Sequence, residues 1–417
     1  MKKNVLWALT GLALVLALGG CSTDGGGGGD PIDKTALQTA LTAAAAAKDG
    51  TASRLYWVKT ADLTAFETEI TAAQTVYGNA DATQAEVDNA ETALATATTA
   101  FNGQKSAAIS TPATALTAIN TAYAGGSGWP GYPGDPTPVT IIVSGTITYT
   151  GTSIGITSGW LDIKGTGAYP PIELKGAAPG AALDFDGTSG KEGRVLNIMN
   201  GNTVTLGADL TLKGGYLSNN NGAGVIVLSS SSFTLAAGGT ISGNYASGSY
   251  GGGGLWVDNG TATLSAGATI SGNTTGNTGG GVGIAGTTTL TMDGGTISGN
   301  TAAITGGGVE VYSATATFIM NGGTISGNTA STTGGGVHVV NDGAFTKTGG
   351  TIYGGDSGTA PDNTATTGAG GSGVYFGHAV YWAQTGALKE VNTTLGDTDA
   401  GDLSTDDASD PLWVDAQ

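Results

Sequence analysis

From Val139 onward, apolar residues alternate with polar ones in runs such as VTIIVSGTITYT and NTVTLGADLTLKG. A period of two marks short β-strands with one buried face. The strands also repeat. GGTISGNTA occupies residues 294–302 and returns unchanged at 322–330, which is 28 residues later. Related copies stand at 238–244 (GGTISGN), 267–273 (GATISGN) and 349–355 (GGTIYGG). Three apolar columns can be aligned through these repeats. One holds Leu255, Val282, Val309, Val337 and Val374, with Val257, Ile284, Val311, Val339 and Phe376 two residues on. A second holds Leu264, Leu290, Phe318 and Phe345, and a third Ile241, Ile270, Ile297, Ile325 and Ile352. A unit of this length that cannot bury its own apolar face stacks on its neighbours, which predicts a solenoid. Three strands per unit predict one coil of a right-handed parallel β-helix, with Ile of Thr-Ile-Ser inward and Gly-Asn at the corner. The corner residues Asn244, Asn273, Asn300 and Asn328 then form an amide ladder. Residues 139–378 hold about eight or nine such coils, a rod of ~40 Å at the usual strand spacing.

Ahead of the strands the apolar period changes to that of helices. A first helix starts near Asp33, carries Leu37 and Leu41 on one face and stops at Gly50. The second begins after Thr60 and sets Leu63, Phe66, Ile70, Ala73 and Tyr77 along one seam. Thr83-Gln-Ala-Glu86 is a capping box that opens the third, whose seam is Val87, Ala90, Leu94, Ala97 and Phe101. Residues 31–106 therefore predict a three-helix bundle. Thr111-Pro112 signals a fourth helix, a lid for the rod, followed by a linker rich in Pro and Gly, so that 107–138 joins bundle to solenoid. Residues 379–417 are left as an acidic cap or tail.

At the N-terminus Lys2 and Lys3 precede an apolar run and then Leu18-Gly-Gly-Cys21, so residues 1–20 read as a signal peptide. Leu18-Gly-Gly-Cys21 resembles the lipobox of bacterial lipoproteins, which implies acylation at Cys21. The only cysteine of the chain stands at that point, and the Gly-rich stretch 21–30 reads as a tether. The expected location is a membrane-anchored lipoprotein at the cell surface or outer membrane, with the membrane as partner through the lipid.

Two further resemblances qualify the domains. The segment WVKTADLTAFETEITAAQTVYGNADATQAEVDNAETALATATTAF resembles the FIVAR modules of bacterial surface proteins, which implies an extracellular spacer or ligand-binding unit. The pairing of GGGV with ISGN resembles the GGA[ILV] and FxxN motifs of polymorphic outer-membrane proteins and spirochaete-type surface proteins, with Gly for Ala and Ile for Phe. About 40 residues follow Phe376, too few for the eight strands of the smallest membrane barrel.

Composition narrows the chemistry. The net charge is −18, and Arg54 and Arg194 are the only arginines, so nucleic acid is excluded as a partner on electrostatic grounds. Glycoside hydrolysis needs two carboxylates roughly 5 to 9.5 Å apart. The rod offers scattered acids, of which Asp258 and Asp342 share a corner but lie three coils or ~14 Å apart. A lyase base has Lys213 and Lys347 to draw on in the repeats. The densest charged stretch, Asp184, Asp186, Lys191, Glu192 and Arg194, reads as a loop between early coils, with a calcium or sugar site as its alternative. Asp397-Thr-Asp-Ala-Gly-Asp402 resembles the start of a calcium loop, but Gly and Asp are transposed. No catalytic residue, cofactor or metal is assigned. Trp256, Glu310, His338 and Tyr375 occupy the outward position between two inward columns and form the candidate binding face, with a glycan or a host or matrix protein as candidate ligand. Adhesion or ligand display by a β-helical rod is the expected function. A polysaccharide-degrading lyase or hydrolase of pectin-lyase-like fold is the rival.

Overall fold

The computed structural model describes residues 31–48, 54–105, 138–149, 159–163, 171–354, 362–365, 379–384, 387–391, 401–402 and 414–415. The signal segment, Cys21, the fourth helix, Tyr375 and most of 397–402 lie outside them.

The rod is a parallel β-helix of about seven turns. Three long sheets run along it. Sheet A stacks strands from Val139–Ser144 to Ala344–Lys347, sheet B from Thr146–Thr148 to Thr351–Ile352, and sheet C from Gly159–Ile163 to Val380–Gln384. A fourth narrow ribbon, sheet D, stacks two-residue strands from Tyr216–Leu217 to Thr364–Ala365. Each regular coil thus has four strands where three were expected, because the residues after the Asn corner also pair. Both sheets A and C end in antiparallel strands: Gly401–Asp402 in A, and Ala387–Val391 followed by Val414–Asp415 in C.

The TIS column is as the sequence predicts: Ile241, Ile270, Ile297, Ile325 and Ile352 are in register and buried. The other two columns need correction. In sheet A, Phe233, Ala262, Leu290, Phe318 and Phe345 align, while Leu264 aligns with Met292. Both positions of each strand point inward, so apolar letters alone permit a slip of two. In sheet C, Val337 pairs with Val380, and His338 with Tyr381, in place of the expected Val374 and Tyr375. The last coil is longer than the others: Asn328 bonds to Asn363, 35 residues on, against 27 to 29 for the rungs before it.

Asn244, Asn273, Asn300, Asn328 and Asn363 form one buried ladder. Each Asn from 244 to 328 donates its backbone N–H and its Nδ2 to the Oδ1 of the next rung, at 2.8 to 3.1 Å. Nδ2 also donates to a strand carbonyl such as Ile241, Ile270 or Ile297. This pairing removes the cost of turning the backbone inside the rod.

Helices α1 (Thr35–Lys48), α2 (Thr60–Gly78) and α3 (Gln84–Gln104) match the predicted spans within about two residues. The capping box is formed: Thr83 Oγ1 accepts from the Glu86 amide, and Glu86 accepts from the Thr83 amide. Leu37, Leu63, Phe66, Val87, Leu94 and Phe101 share the core, with Phe66 stacked on Phe101 at 4.3 Å. Tyr77, placed on the seam by spacing, is 36% exposed because it falls at the last turn of α2.

The sequence reading contained no strand between α1 and α2. Arg54–Lys59 is one, antiparallel to Val139–Ser144 at the first edge of sheet A. Thr60 N donates to Pro138 O, and Thr140 Oγ1 donates to Thr60 Oγ1. Glu67 receives both Lys48 and Lys175 at 2.8 Å, and Ile142 and Ala177 of the rod belong to the helical core. The helices therefore cap the first coil and cover an edge that would otherwise offer itself to other chains.

Candidate functional site

The face singled out by sequence lies on the outside of sheet C. Its strands carry two inward apolar residues with one outward residue between them. Register places Asn197, Ile226, Trp256, Gly283, Glu310, His338 and Tyr381 in one outward column. Trp256, Glu310 and His338 are thus brought onto one strip. Tyr381 fills the place expected of Tyr375.

Outward does not mean exposed here, and this corrects the predicted face. Trp256 is 3%, Glu310 1% and His338 5% exposed. Two features cover them. The glycine-rich corners fold back over the column: Gly306 has φ +61, and a Cβ there would stand 2.5 Å from Glu310 Oε2. Aromatic side chains from both margins also lean across it. Tyr250, in the corner before Leu255–Asp258, lies nearly parallel to Trp256, at 15° and 6.0 Å between ring centres. Tyr312, just after Val309–Val311, meets Tyr250 at 4.6 Å and 60°. The Trp256 ring in turn leans over Gly283, where a Cβ would come within 2.6 Å of it. Ile226, Trp256, Ala285, Leu228 and Tyr312 form an apolar cluster separate from the rod core.

Further along the strip, Glu310 and His338 make a buried pair. His338 Nδ1 lies 2.9 and 3.0 Å from the two carboxylate oxygens, and Thr305 donates to Oε2 at 2.9 Å. Tyr381 stacks on the imidazole at 5.3 Å. Burial pushes the Tyr312 phenol above its ordinary pKa, and the charges of Tyr250 and Glu310 add to that. Burial likewise raises the Asp258 carboxyl at the strip's margin.

The exposed member is Tyr250, at 41%. Sequence reasoning passed over it and Tyr312 because neither stands in a strand. The available signal was a lone aromatic inside the glycine corner SGSYGGGG, where a small residue is the norm.

Several of the other charged candidates are paired or buried. Lys213 pairs with Asp184 at 3.1 Å, and Lys191 with Asp186 at 3.6 Å. Lys191 also donates to the Tyr149 carbonyl and lies over the stacked rings of Tyr149 and Phe185. Arg194 is buried and donates to the Asn220 side chain and to the carbonyls of Asn221 and Gly222. Lys347 is wholly buried at an inward position, in register with Met320. Among the described residues, no group of three or more His, Cys, Asp or Glu side chains is placed to hold a metal ion, and no helix is long and apolar enough to cross a membrane.

Fold and strip together define a parallel β-helix, capped by helices, with an aromatic strip along one outer face. No protein-family model matches the chain, nor does any curated protein or solved structure.

Proposed function

We propose that this is a lipid-anchored bacterial surface protein that holds a β-helical rod at the membrane and binds through the rod's side, without turnover. The observation that carries the reading is Leu18-Gly-Gly-Cys21: the only cysteine of 417 residues stands where acylation needs it, followed by a Gly-rich tether and then a folded rod. In this arrangement the helices, which the FIVAR resemblance marks as a spacer, sit at the end of the rod nearest the anchor. The charge pairing of the described rod supports binding over catalysis. Glu310, the carboxylate at the centre of the strip, is committed to His338 and Thr305. The polysaccharide-degrading alternative asks for a carboxylate free to transfer a proton.

The test is replacement of Cys21 by Ala in a bacterial host, followed by carbonate washing of membranes and labelling with a fatty-acid analogue. The wild-type chain is expected to be labelled and to pellet with membranes, and the variant to be unlabelled and released. A variant that still pellets, or a wild-type chain that takes no label, overturns the anchor.

A further inference from the structure

We infer that the open face of Tyr250 is a stacking platform for one ring of a neutral glycan. This deepens the binding part of the proposed function and does not depend on the anchor. Trp256 occupies one face of the Tyr250 ring, and Tyr312 props its side, so the aromatic plane is fixed before any ligand arrives. A ring held this way loses little side-chain entropy on binding. Tyr250 nevertheless stays 41% exposed.

Three observations choose the occupant. The trio is closed: Tyr250 and Tyr312 touch at 4.6 Å and 60°, so they meet as a wedge with no cage between them for a cation. The patch is also one ring wide. Only four large apolar side chains are exposed among the described residues, Ile32, Tyr77, Tyr250 and Ile304, which is far short of the contiguous area a protein interface buries. Finally, the corner residues beside the platform alternate in character along the rod. The Thr278 hydroxyl donates to the Tyr250 carbonyl, which sets Asn277, its neighbour in the chain, in the coil next to the platform; the Ile304 amide then donates to the Asn277 carbonyl and Thr332 to the Ile304 carbonyl, so Asn277, Ile304 and Thr332 follow one another along the rod. A sugar chain lying along the axis meets a ring, an amide, an aliphatic side chain and a hydroxyl in turn. Such a ligand presents C–H faces to the first and third, and hydroxyls to the others. The net charge of −18 repels polyanionic glycans and leaves neutral ones.

The probes are neutral hexasaccharides (cellohexaose, maltohexaose and N-acetylchitohexaose), titrated by calorimetry into the detergent-solubilised full chain. Binding of at least one is expected. Tyr250→Ala should weaken it tenfold or more, and Tyr250→Phe, which keeps the ring, should retain it within threefold. Tyr245→Ala removes a ring stacked on Tyr216 in sheet D, away from the strip, and should change nothing. Unchanged thermal unfolding of Tyr250→Ala confirms that the loss is local. No binding of any hexasaccharide overturns the inference, as does binding that survives Tyr250→Ala. Tyr250-dependent binding of a basic peptide or a matrix protein in place of sugar overturns it too, in favour of a polypeptide ligand. In every one of these outcomes membrane anchoring through Cys21 is read separately.

Discussion

Replacing Asn300 by Ala removes one rung from the middle of the amide ladder. Its Oδ1 accepts from the Asn273 backbone and from Asn273 Nδ2, both at 3.0 Å. Its Nδ2 donates to Ile270 O at 3.1 Å and to Asn328 Oδ1 at 2.9 Å. Alanine leaves four partners short of one bond each in a site that is fully buried. Two of them keep another bond: Asn273 Nδ2 still reaches Ile241 O, and Asn328 Oδ1 still receives the backbone N–H of residue 300. At a net ~1 kcal/mol per bond, and more for an orphaned amide, the loss is about 3–5 kcal/mol. A loss of ~4 kcal/mol multiplies the unfolding constant about a thousandfold. Urea unfolding followed by circular dichroism measures it, with the outward Ser298→Ala as a control expected within ~0.5 kcal/mol. Asn300→Asp keeps the acceptor but turns it against Ile270 O and Asn328 Oδ1. It should be worse than Ala at neutral pH and recover as the solution is acidified, because the protonated acid can again donate. An Asn300→Ala cost below ~1 kcal/mol would refute the ladder as a source of stability.

Three other perturbations are decided by the same geometry. Ile297→Asp buries a charge between Ile270 and Ile325 and should cost several kcal/mol after relaxation, whereas Ser298→Asp on the outer face should cost little; equal melting temperatures would contradict the inward and outward assignment. Gly283→Val drives a side chain into the Trp256 ring and should change its near-UV circular dichroism, while leaving the rod folded; an unchanged spectrum would show that the ring does not rest on residue 283. Glu67 is pushed up by burial, but hydrogen bonds and charges from Lys175 and Lys48 outweigh this and hold its pKa below the ordinary value. A lowered carboxyl contributes stability above its unfolded pKa of about 4.3 and loses it as pH falls through the folded one. The protection of the Arg54–Lys59 amides, measured relative to intrinsic exchange at each pH, should therefore fall below about pH 4 in the wild-type chain, and Glu67→Gln should be less protected already at pH 7; a variant indistinguishable from wild type would remove this ion pair from the docking of the cap.

What sequence made legible followed from identity between neighbours. The TIS strands and the Asn corners recur as the same letters because each stacks on its own copy, so their columns could be read directly. Leu264 was misplaced by two because Ala262 and Leu264 both face inward, and hydrophobicity does not distinguish them. The last coil slipped because the segment between Ile352 and Val380 departs from the period, leaving no repeat to count by. Arg54–Lys59 was missed for another reason. Its partner strand begins at Val139, 80 residues beyond Lys59 (139 − 59), and nothing local says that a Leu-Tyr-Trp-Val run will close a sheet edge. The candidate face was half legible: alternation shows which residues leave the coil, but not which corners and rings fold back to cover them. That is why Trp256, Glu310 and His338 were found and Tyr250 was not.

The central claim is that each repeat is one coil of a rod, and paired in-frame deletions test it most directly. Removing residues 294–321 takes out one unit and joins Asp293 to Gly322, leaving Thr269-Ile-Ser271 opposite Thr324-Ile-Ser326 in the register that Thr296-Ile-Ser298 held. That chain should unfold cooperatively with a melting temperature within a few degrees of the parent. Removing only residues 294–307 sets strands of one sheet against corners of the next and should abolish the cooperative transition. Equal damage from the two deletions would contradict a rod built of one coil per repeat.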